Sequence, residues 1–302
     1  MNQKIDVIEV GPRDGFQSVK CAQITTEQKL QVIDDLVSAG VKHMEYTSFV
    51  SPKAIPQLAD AKAVTEVVLK KYPDLDLFAL VPNLRGAQNA YELGLRKVCY
   101  VVSLSVSHNK ANINRTHEQS LEAYKEIRAA YPDLDVIVDL ATTFGCPFEG
   151  KYEDPAAVVK FLKDYMDAGM TTCCLCDTIG IADPAQVKAV ISAVKEAYPS
   201  LELMVHFHDT RGLGMVNTMA AIESGITKVQ SALGGLGGCP FAPGASGNLS
   251  TEDMVWMLNE MGYDTGISFS KLLAAAKAQV NVISGNYSGH HINVEAETPC
   301  KA

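Results

Sequence analysis

Tyr131-Pro132-Asp133-Leu134-Asp135 runs directly into Val136-Ile137-Val138-Asp139-Leu140, so a helix stop and a strand start share ten residues. Proline forces the residue before it out of the helical region, and the short apolar run that follows a turn reads as a buried strand. The phrase returns twice. Tyr72-Pro73-Asp74-Leu75-Asp76 precedes Leu77-Phe78-Ala79-Leu80-Val81, and Tyr198-Pro199-Ser200-Leu201-Glu202 precedes Leu203-Met204-Val205-His206-Phe207. Each copy marks one helix-to-strand unit of a repeating α/β chain.

Working outward, short apolar runs give eight strands, at 5–10, 43–49, 76–82, 97–105, 135–143, 172–177, 202–208 and 228–233. Helical patterns lie between them. The clearest runs from Thr25 to Ala39, where Thr25 and Gln28 form a capping box and Gly40 stops the helix. Others start near Pro56, Thr116, Asp154, Pro184 and Thr251. Near-continuous apolar strands alternating with helices predict a parallel sheet covered on both faces. Eight units without a linker predict a single-domain (β/α)₈ TIM barrel over 1–285, with a doubly wound open sheet as the alternative. Residues 286–302 form a C-terminal tail outside the pattern.

The 302 residues carry 26 Lys+Arg against 35 Asp+Glu, a net charge of −9, with no basic block. That disfavours nucleic acid and anionic membranes as partners. No stretch approaches the roughly 20 apolar residues that span a bilayer. The N-terminus Met1-Asn2-Gln3-Lys4 turns charged before a signal core forms, so a cytoplasmic protein is expected, an organelle matrix being the lesser alternative. Eight cysteines without disulfide-scaffold spacing read as reduced thiols, with Cys99, Cys173, Cys174 and Cys176 as core packing.

Barrel chemistry sits at the C-terminal ends of the strands. Those ends hold Arg13, Asp14 and Gln17 after the first strand, and Glu45, Thr47 and Ser48 on the second. Asp139 and Thr143 lie on the fifth, Asp177-Thr178 on the sixth, and His206-x-His208-Asp209 on the seventh. His206 and His208, two apart on a strand, share a face. With Asp14 as an anionic ligand and Asn248 as a neutral oxygen donor they suit a divalent cation, Mg²⁺ or Mn²⁺, Zn²⁺ being chemically allowed. Arg13 reads either as a structural ion pair or as a guanidinium aimed at a carbonyl oxygen gaining charge. Glu45 reads either as its partner or as a proton-relay group. Residues 234–248 hold six glycines in fifteen, a mobile lid that carries Cys239 as the candidate reactive thiol.

Val10-Gly11-Pro12-Arg13-Asp14-Gly15-x-Gln17, Glu45-x-Thr47-Ser48-Phe49, Asp177-Thr178-Ile179-Gly180, His206-x-His208-Asp209-Thr210 and Gly235-Leu236-Gly237-Gly238-Cys239-Pro240 with Gly247-Asn248 resemble the 3-hydroxy-3-methylglutaryl-coenzyme A lyase family. The resemblance covers residues 5–275 in order and spacing. It implies a metal-dependent retro-Claisen cleavage to acetyl-coenzyme A and acetoacetate, chemistry of leucine degradation, without a redox cofactor. By matching position, Asp14, His206, His208 and Asn248 hold the cation, and Arg13 stabilises the enolate. Cys239 acts as acid/base, and Glu45 and Asp177 support proton transfer. Gln17 and Ser48 are expected on the substrate, and Lys20, Lys53, Lys110 and Arg115 near the coenzyme A phosphates. An acyl-coenzyme A partner and a homo-oligomer, a dimer, are expected.

The sequence departs from the family at Phe16, Ser18 and Val19 in the first motif, and at Ala54, Cys174 and Gln230. The alternative readings are a lyase for a related 3-hydroxy-3-carboxyalkyl thioester, a Claisen condensation synthase, and a hydroxy-oxo-acid aldolase. A non-catalytic coenzyme A or metal-binding descendant is the reading from another class.

Overall fold

A computed structural model describes residues 3–19, 24–238 and 247–294. Eight parallel strands close into a barrel: β1 (Asp6–Glu9), β2 (His43–Ser48), β3 (Asp76–Leu80), β4 (Lys97–Ser103), β5 (Asp135–Ala141), β6 (Thr172–Asp177), β7 (Glu202–Phe207) and β8 (Lys228–Ser231). Neighbours in sequence are neighbours in the sheet, and β1 closes the ring on β8 with Asp6 opposite Lys228 and Glu9 opposite Ser231. The chain is therefore a TIM barrel and not an open doubly wound sheet. The expected strand spans match within about two residues at each end, the ordinary scatter of boundaries.

The repeated phrase produces the same geometry three times. Tyr72, Tyr131 and Tyr198 cap their helices at φ −131°, −133° and −133°. Leu75, Leu134 and Leu201 then donate their backbone N–H to the carbonyl of that tyrosine, closing the turn into β3, β5 and β7. Helix α1 (Thr26–Ala39) carries the Thr25–Gln28 capping box in full and ends on Gly40 at φ +104°.

The helix expected near Pro56 is a 3₁₀ turn, Pro56–Leu58, and α2 (Ala61–Lys71) begins only afterwards. The sequence pattern does not single out α3 (Leu84–Glu92), α4 (Val106–Ile113), α8 (Gly214–Glu223) or α10 (Phe269–Val282). The first two span nine and eight residues, too short for a clear period, and the last two lack a side-chain cap. The remaining helices are α5 (His117–Ala130), α6 (Ala156–Asp167), α7 (Pro184–Ala197) and α9 (Thr251–Glu260).

Two apolar layers hold the barrel. Between strands and helices lies a continuous cluster that includes Phe16, Tyr46, Tyr124 and Phe207. Inside the ring, Ile8, Val10, Phe78, Cys99, Ile137, Cys174, Cys176 and Met204 form a smaller plug. The cysteines at 99, 146, 173, 174 and 176 are buried free thiols, as expected. The plug closes the middle of the barrel, so polar side chains on the next layer up face the mouth.

Candidate active site and metal centre

The chain leaves β1 through a rare π-helical turn, Gly11–Gly15. The carbonyl of Val10 accepts the N–H groups of Arg13, Asp14 and Gly15. In a strand, adjacent side chains point to opposite faces; this wide turn lets Arg13 and Asp14 serve one site, a common use of π-bulges. Glu9, fully buried below the turn, accepts N–H from Gly11 and Leu233 and the hydroxyl of Thr251. Burial raises its carboxyl to about 7 despite these donors. Glu9 thus ties the first strand to the last loop and to α9.

Asp14, His206 and His208 place one ligand atom each within 4.8 Å of one another. Burial works to raise the Asp14 carboxyl, but Arg13 and the two imidazoles more than offset it and hold the group at about 2. Burial lowers both histidines, His206 to about 4, so both imidazoles are neutral near pH 7 and keep a lone pair. Second partners orient each ring. His206 Nδ1 lies 3.0 Å from Gln230 Oε1, which frees Nε2. His208 bonds the backbone of Thr178 and leaves Nδ1 buried without a partner. Gly180, at φ +59°, lets this loop pass: a Cβ there would sit 2.8 Å from the His208 carbonyl.

Asn248 completes the arrangement from the far side of the glycine-rich segment. It forms an isolated bridge with His208, and its Nδ2 donates to Asp14 Oδ2 at 2.8 Å and to the Leu236 carbonyl at 3.1 Å. Its Oδ1 is buried and unpartnered. An orphaned buried acceptor costs about 1–3 kcal/mol, so two beside one carboxylate fit a site made for a cation. The donor set, two imidazoles with oxygen ligands and no thiolate, agrees.

Arg13 is clamped. Its Nε and Nη2 donate to Glu45 Oε1 and Oε2, both at 2.6 Å, and its Nη1 donates to Asp14 Oδ1 at 2.6 Å. Guanidinium carries five N–H donors, so two remain for a ligand at the barrel mouth. Glu45 is thus the ion-pair partner of Arg13, one of the two readings its sequence position allowed.

A family model described as HMGL-like matches residues 4–278. The chain belongs to the HMGL-like family. It is 42% identical over 277 residues to a hydroxymethylglutaryl-CoA lyase of Bacillus subtilis, covering 91% of this chain and 92% of that one. It is 40% identical to the human mitochondrial hydroxymethylglutaryl-CoA lyase over 275 residues, 90% of this chain and 84% of that one. A solved HMG-CoA lyase from Acinetobacter baumannii, in complex with coenzyme A and 3-methylmalate, superposes with a TM-score of 0.90 at 38% identity, covering 98% and 96% of the two chains.

Within this HMGL-like barrel the other candidates take definite places. Gln17 donates to Asp14 Oδ1 at 2.9 Å, beside the expected cation site. Ser48 is buried at the end of β2 with its hydroxyl unpartnered. Asp177 spends both carboxylate oxygens on the N–H groups of Ile181 and Ala182, bracing the loop that carries Thr178 and Gly180. Burial raises its carboxyl to about 6. Lys53 and Lys110 are exposed. Arg115 is committed to the scaffold, with Nη1 donating to the Pro82 carbonyl and the Tyr100 hydroxyl. Cys239 and Lys20 lie outside the described residues.

The family departures separate by location. Phe16 is fully buried in the layer between strands and helices, so it repacks the scaffold, whereas Ala54 is exposed. Cys174 belongs to the plug, and Gln230 orients His206.

Two groups were missed in the sequence. One is Glu9, whose only signal is a carboxylate inside an apolar strand. The other is the segment after α10, which gave no signal. Gly237 N–H donates to the Asn286 carbonyl, and Gly289 N–H to that of Gly234. The Ser288 hydroxyl lies 3.1 Å from the Asn248 carbonyl and 3.3 Å from that of Gly235. A Cβ on Gly235, at φ +63°, would collide with that hydroxyl. His290 and His291 donate their backbone N–H groups to Asp253 on α9. The segment fastens both ends of the glycine-rich loop.

Proposed function

We propose that this protein is a divalent-metal-dependent carbon–carbon lyase that cleaves 3-hydroxy-3-methylglutaryl-coenzyme A into acetyl-coenzyme A and acetoacetate. One observation supports it most: a neutral two-imidazole, one-carboxylate donor set with spare lone pairs stands directly beside a clamped arginine with spare N–H groups. A retro-Claisen cleavage has two demands. Negative charge must be supported on a tertiary alkoxide, and then on a thioester enolate.

Asp14, His206, His208 and Asn248 would hold the cation, Mg²⁺ or Mn²⁺, which supplies Lewis-acid polarisation of substrate oxygens. Arg13 offers fixed N–H donors to the thioester oxygen as its charge grows, and Glu45 keeps the guanidinium from turning away. Gln17 and Ser48 orient the acyl portion. Cys239 belongs to this reading as the acid/base group that exchanges a proton with the reacting centre, and Asp177 as the brace of the loop that carries Thr178 and Gly180. Lys20, Lys53 and Lys110 are the cations proposed for the coenzyme A phosphates. Arg115 is the fourth, with Nη1 on Pro82 and Tyr100 and its charge and remaining N–H groups available. A cytoplasmic homodimer completes the proposal. Among the described residues no helix is long and apolar enough to cross a membrane.

The test is a discontinuous assay of purified protein with Mg²⁺ or Mn²⁺ against an EDTA control. Equal, metal-dependent release of acetyl-coenzyme A and acetoacetate is the expected outcome. Metal binding without release of either product would overturn the substrate, and release in EDTA would overturn the metal requirement.

A further inference from the structure

Behind Arg13 lies a second buried cluster, of which the reaction above uses only Glu45. Glu45 on β2, Cys99 on β4 and Asp139 on β5 bring one ligand-type atom each within 4.8 Å of one another. Asp139 stands two residues after Ile137, so it shares Ile137's inward face, one layer above the plug. Its Oδ1 is buried and unpartnered. Cys99 Sγ lies 2.9 Å from Glu45 Oε1, and a carboxylate oxygen of Asp139 lies within 4.8 Å of both ligand atoms.

A thiol has one proton and cannot donate to two carboxylates at once. With the Cys99 proton directed at Glu45, Asp139 can engage the sulfur only as a donor, which gives the chain Asp139 O–H···Sγ–H···Oε1. Charge counting points the same way. The groups on the barrel's inner side around Asp139 are Glu45 from β2, Cys99 from β4, Arg13 and Asp14 from the turn after β1, and Cys174 and Cys176 from β6. Arg13 is the one cation among them, and Asp14 and Glu45 already hold it by direct ion pairs. A third anion would be buried without a counter-charge, which proteins avoid by keeping the group neutral.

We propose that Asp139 is carried as a neutral carboxylic acid sharing one proton with Glu45 through the Cys99 thiol, and that it is thereby a positioning residue for Arg13. This role rests on the lyase reading; the shared proton itself does not. A neutral Asp139 leaves Glu45 free to clamp the guanidinium and leaves the guanidinium's spare N–H groups for the substrate oxygen. An ionised Asp139 would compete for Arg13 and draw it off the mouth. Burial and the neighbouring Glu45 raise the Asp139 carboxyl to about 7, so the working form is present below that pH and is lost as pH rises through it.

The experiment compares wild type, Asp139→Asn and Asp139→Ala, each checked for intact fold by circular dichroism. The infrared spectrum of wild type minus that of Asp139→Asn, without substrate, cancels Glu9 and Asp177 and should show a protonated-carboxyl band at pH 6 that fades on raising the pH. In turnover, Asp139→Asn, a neutral isostere, should keep kcat/KM within about threefold of wild type and lose its alkaline decline, whereas Asp139→Ala should fall roughly thirtyfold, mainly in kcat. Lack of the band in wild type would overturn the shared proton, whether or not the protein cleaves this thioester. A folded Asp139→Asn as impaired as Asp139→Ala, or with the pH profile of wild type, would overturn the positioning role.

Discussion

Two buried clusters in this barrel hold the same kinds of side chain at the same spacing, yet they are built for opposite ends. Asp14, His206 and His208 lie within 4.8 Å of one another, and so do Glu45, Cys99 and Asp139. In the first, outside partners take the wrong end of each ring: Gln230 takes His206 Nδ1, and the Thr178 backbone takes one nitrogen of His208. The lone pairs that remain converge. In the second, Glu45 spends both oxygens on Arg13 and one of them also on the Cys99 thiol, and only Asp139 keeps an unpartnered oxygen. Proximity of ligand-type residues is therefore a weaker pointer to a cation than the number of lone pairs their other partners leave unused.

The sharpest way to break the comparison is to remove a member of the first cluster. Asp14→Ala or His206→Ala should lower kcat/KM about a thousandfold or more with the fold kept. Calorimetric titration with Mn²⁺ should fall from one site per chain to none, and a surviving site would place the metal in the second cluster. Next in size, Arg13→Lys keeps the charge but loses the two-point grip on Glu45. It should cost roughly a hundredfold in kcat with metal binding unchanged.

Gln230→Leu leaves every proposed ligand in place and removes only the partner of His206. Mn²⁺ affinity should drop about 10- to 100-fold, the usual effect of losing such a partner. Unchanged affinity would show that the strand alone sets the ring. The smallest effect belongs to a charged cluster at the opposite end of the barrel, where Asp76 accepts from His43 and Lys97. Burial raises that carboxyl, but these partners overcome it and hold it at about 2. Its ionised form stabilises the fold above the unfolded value near 3.8 and is lost as pH falls toward 2. Asp76→Asn should cost about 1–2 kcal/mol in urea melts at pH 7, discounted for partial exposure. The difference should vanish near pH 2.

These contrasts explain which parts could be read ahead of the structure. The Tyr-Pro repeats and the His206-x-His208 spacing are local signals, governed by proline sterics and by the two-residue period of a strand, and they gave the barrel and the core of the site. Asp14 and Asn248 read as oxygen ligands from their places at strand ends, with the resemblance in agreement, and meet at 2.8 Å across 234 residues of chain. What stayed hidden depends on closure of the ring. Glu9 binds Leu233 and Thr251 only because β1 lies against β8, and Gln230 reaches His206 only because β8 lies against β7. The π-helical turn was hidden for another reason: Gly-Pro-Arg-Asp-Gly signals a turn without fixing how many N–H groups one carbonyl will collect.

The fastening of residues 286–291 onto the glycine-rich loop has a consequence for the order of manufacture. A nascent chain that has emerged as far as α9 already contains all eight strands and every residue assigned to the cation. It lacks Asn286, Ser288 and Gly289, which hold Gly237, Asn248 and Gly234 in place. It also lacks α10, which packs Leu272 and Ala276 into the core and sends Gln279 to the Leu233 carbonyl. A chain stopped there therefore carries the proposed ligands without the contacts that hold Asn248 in place.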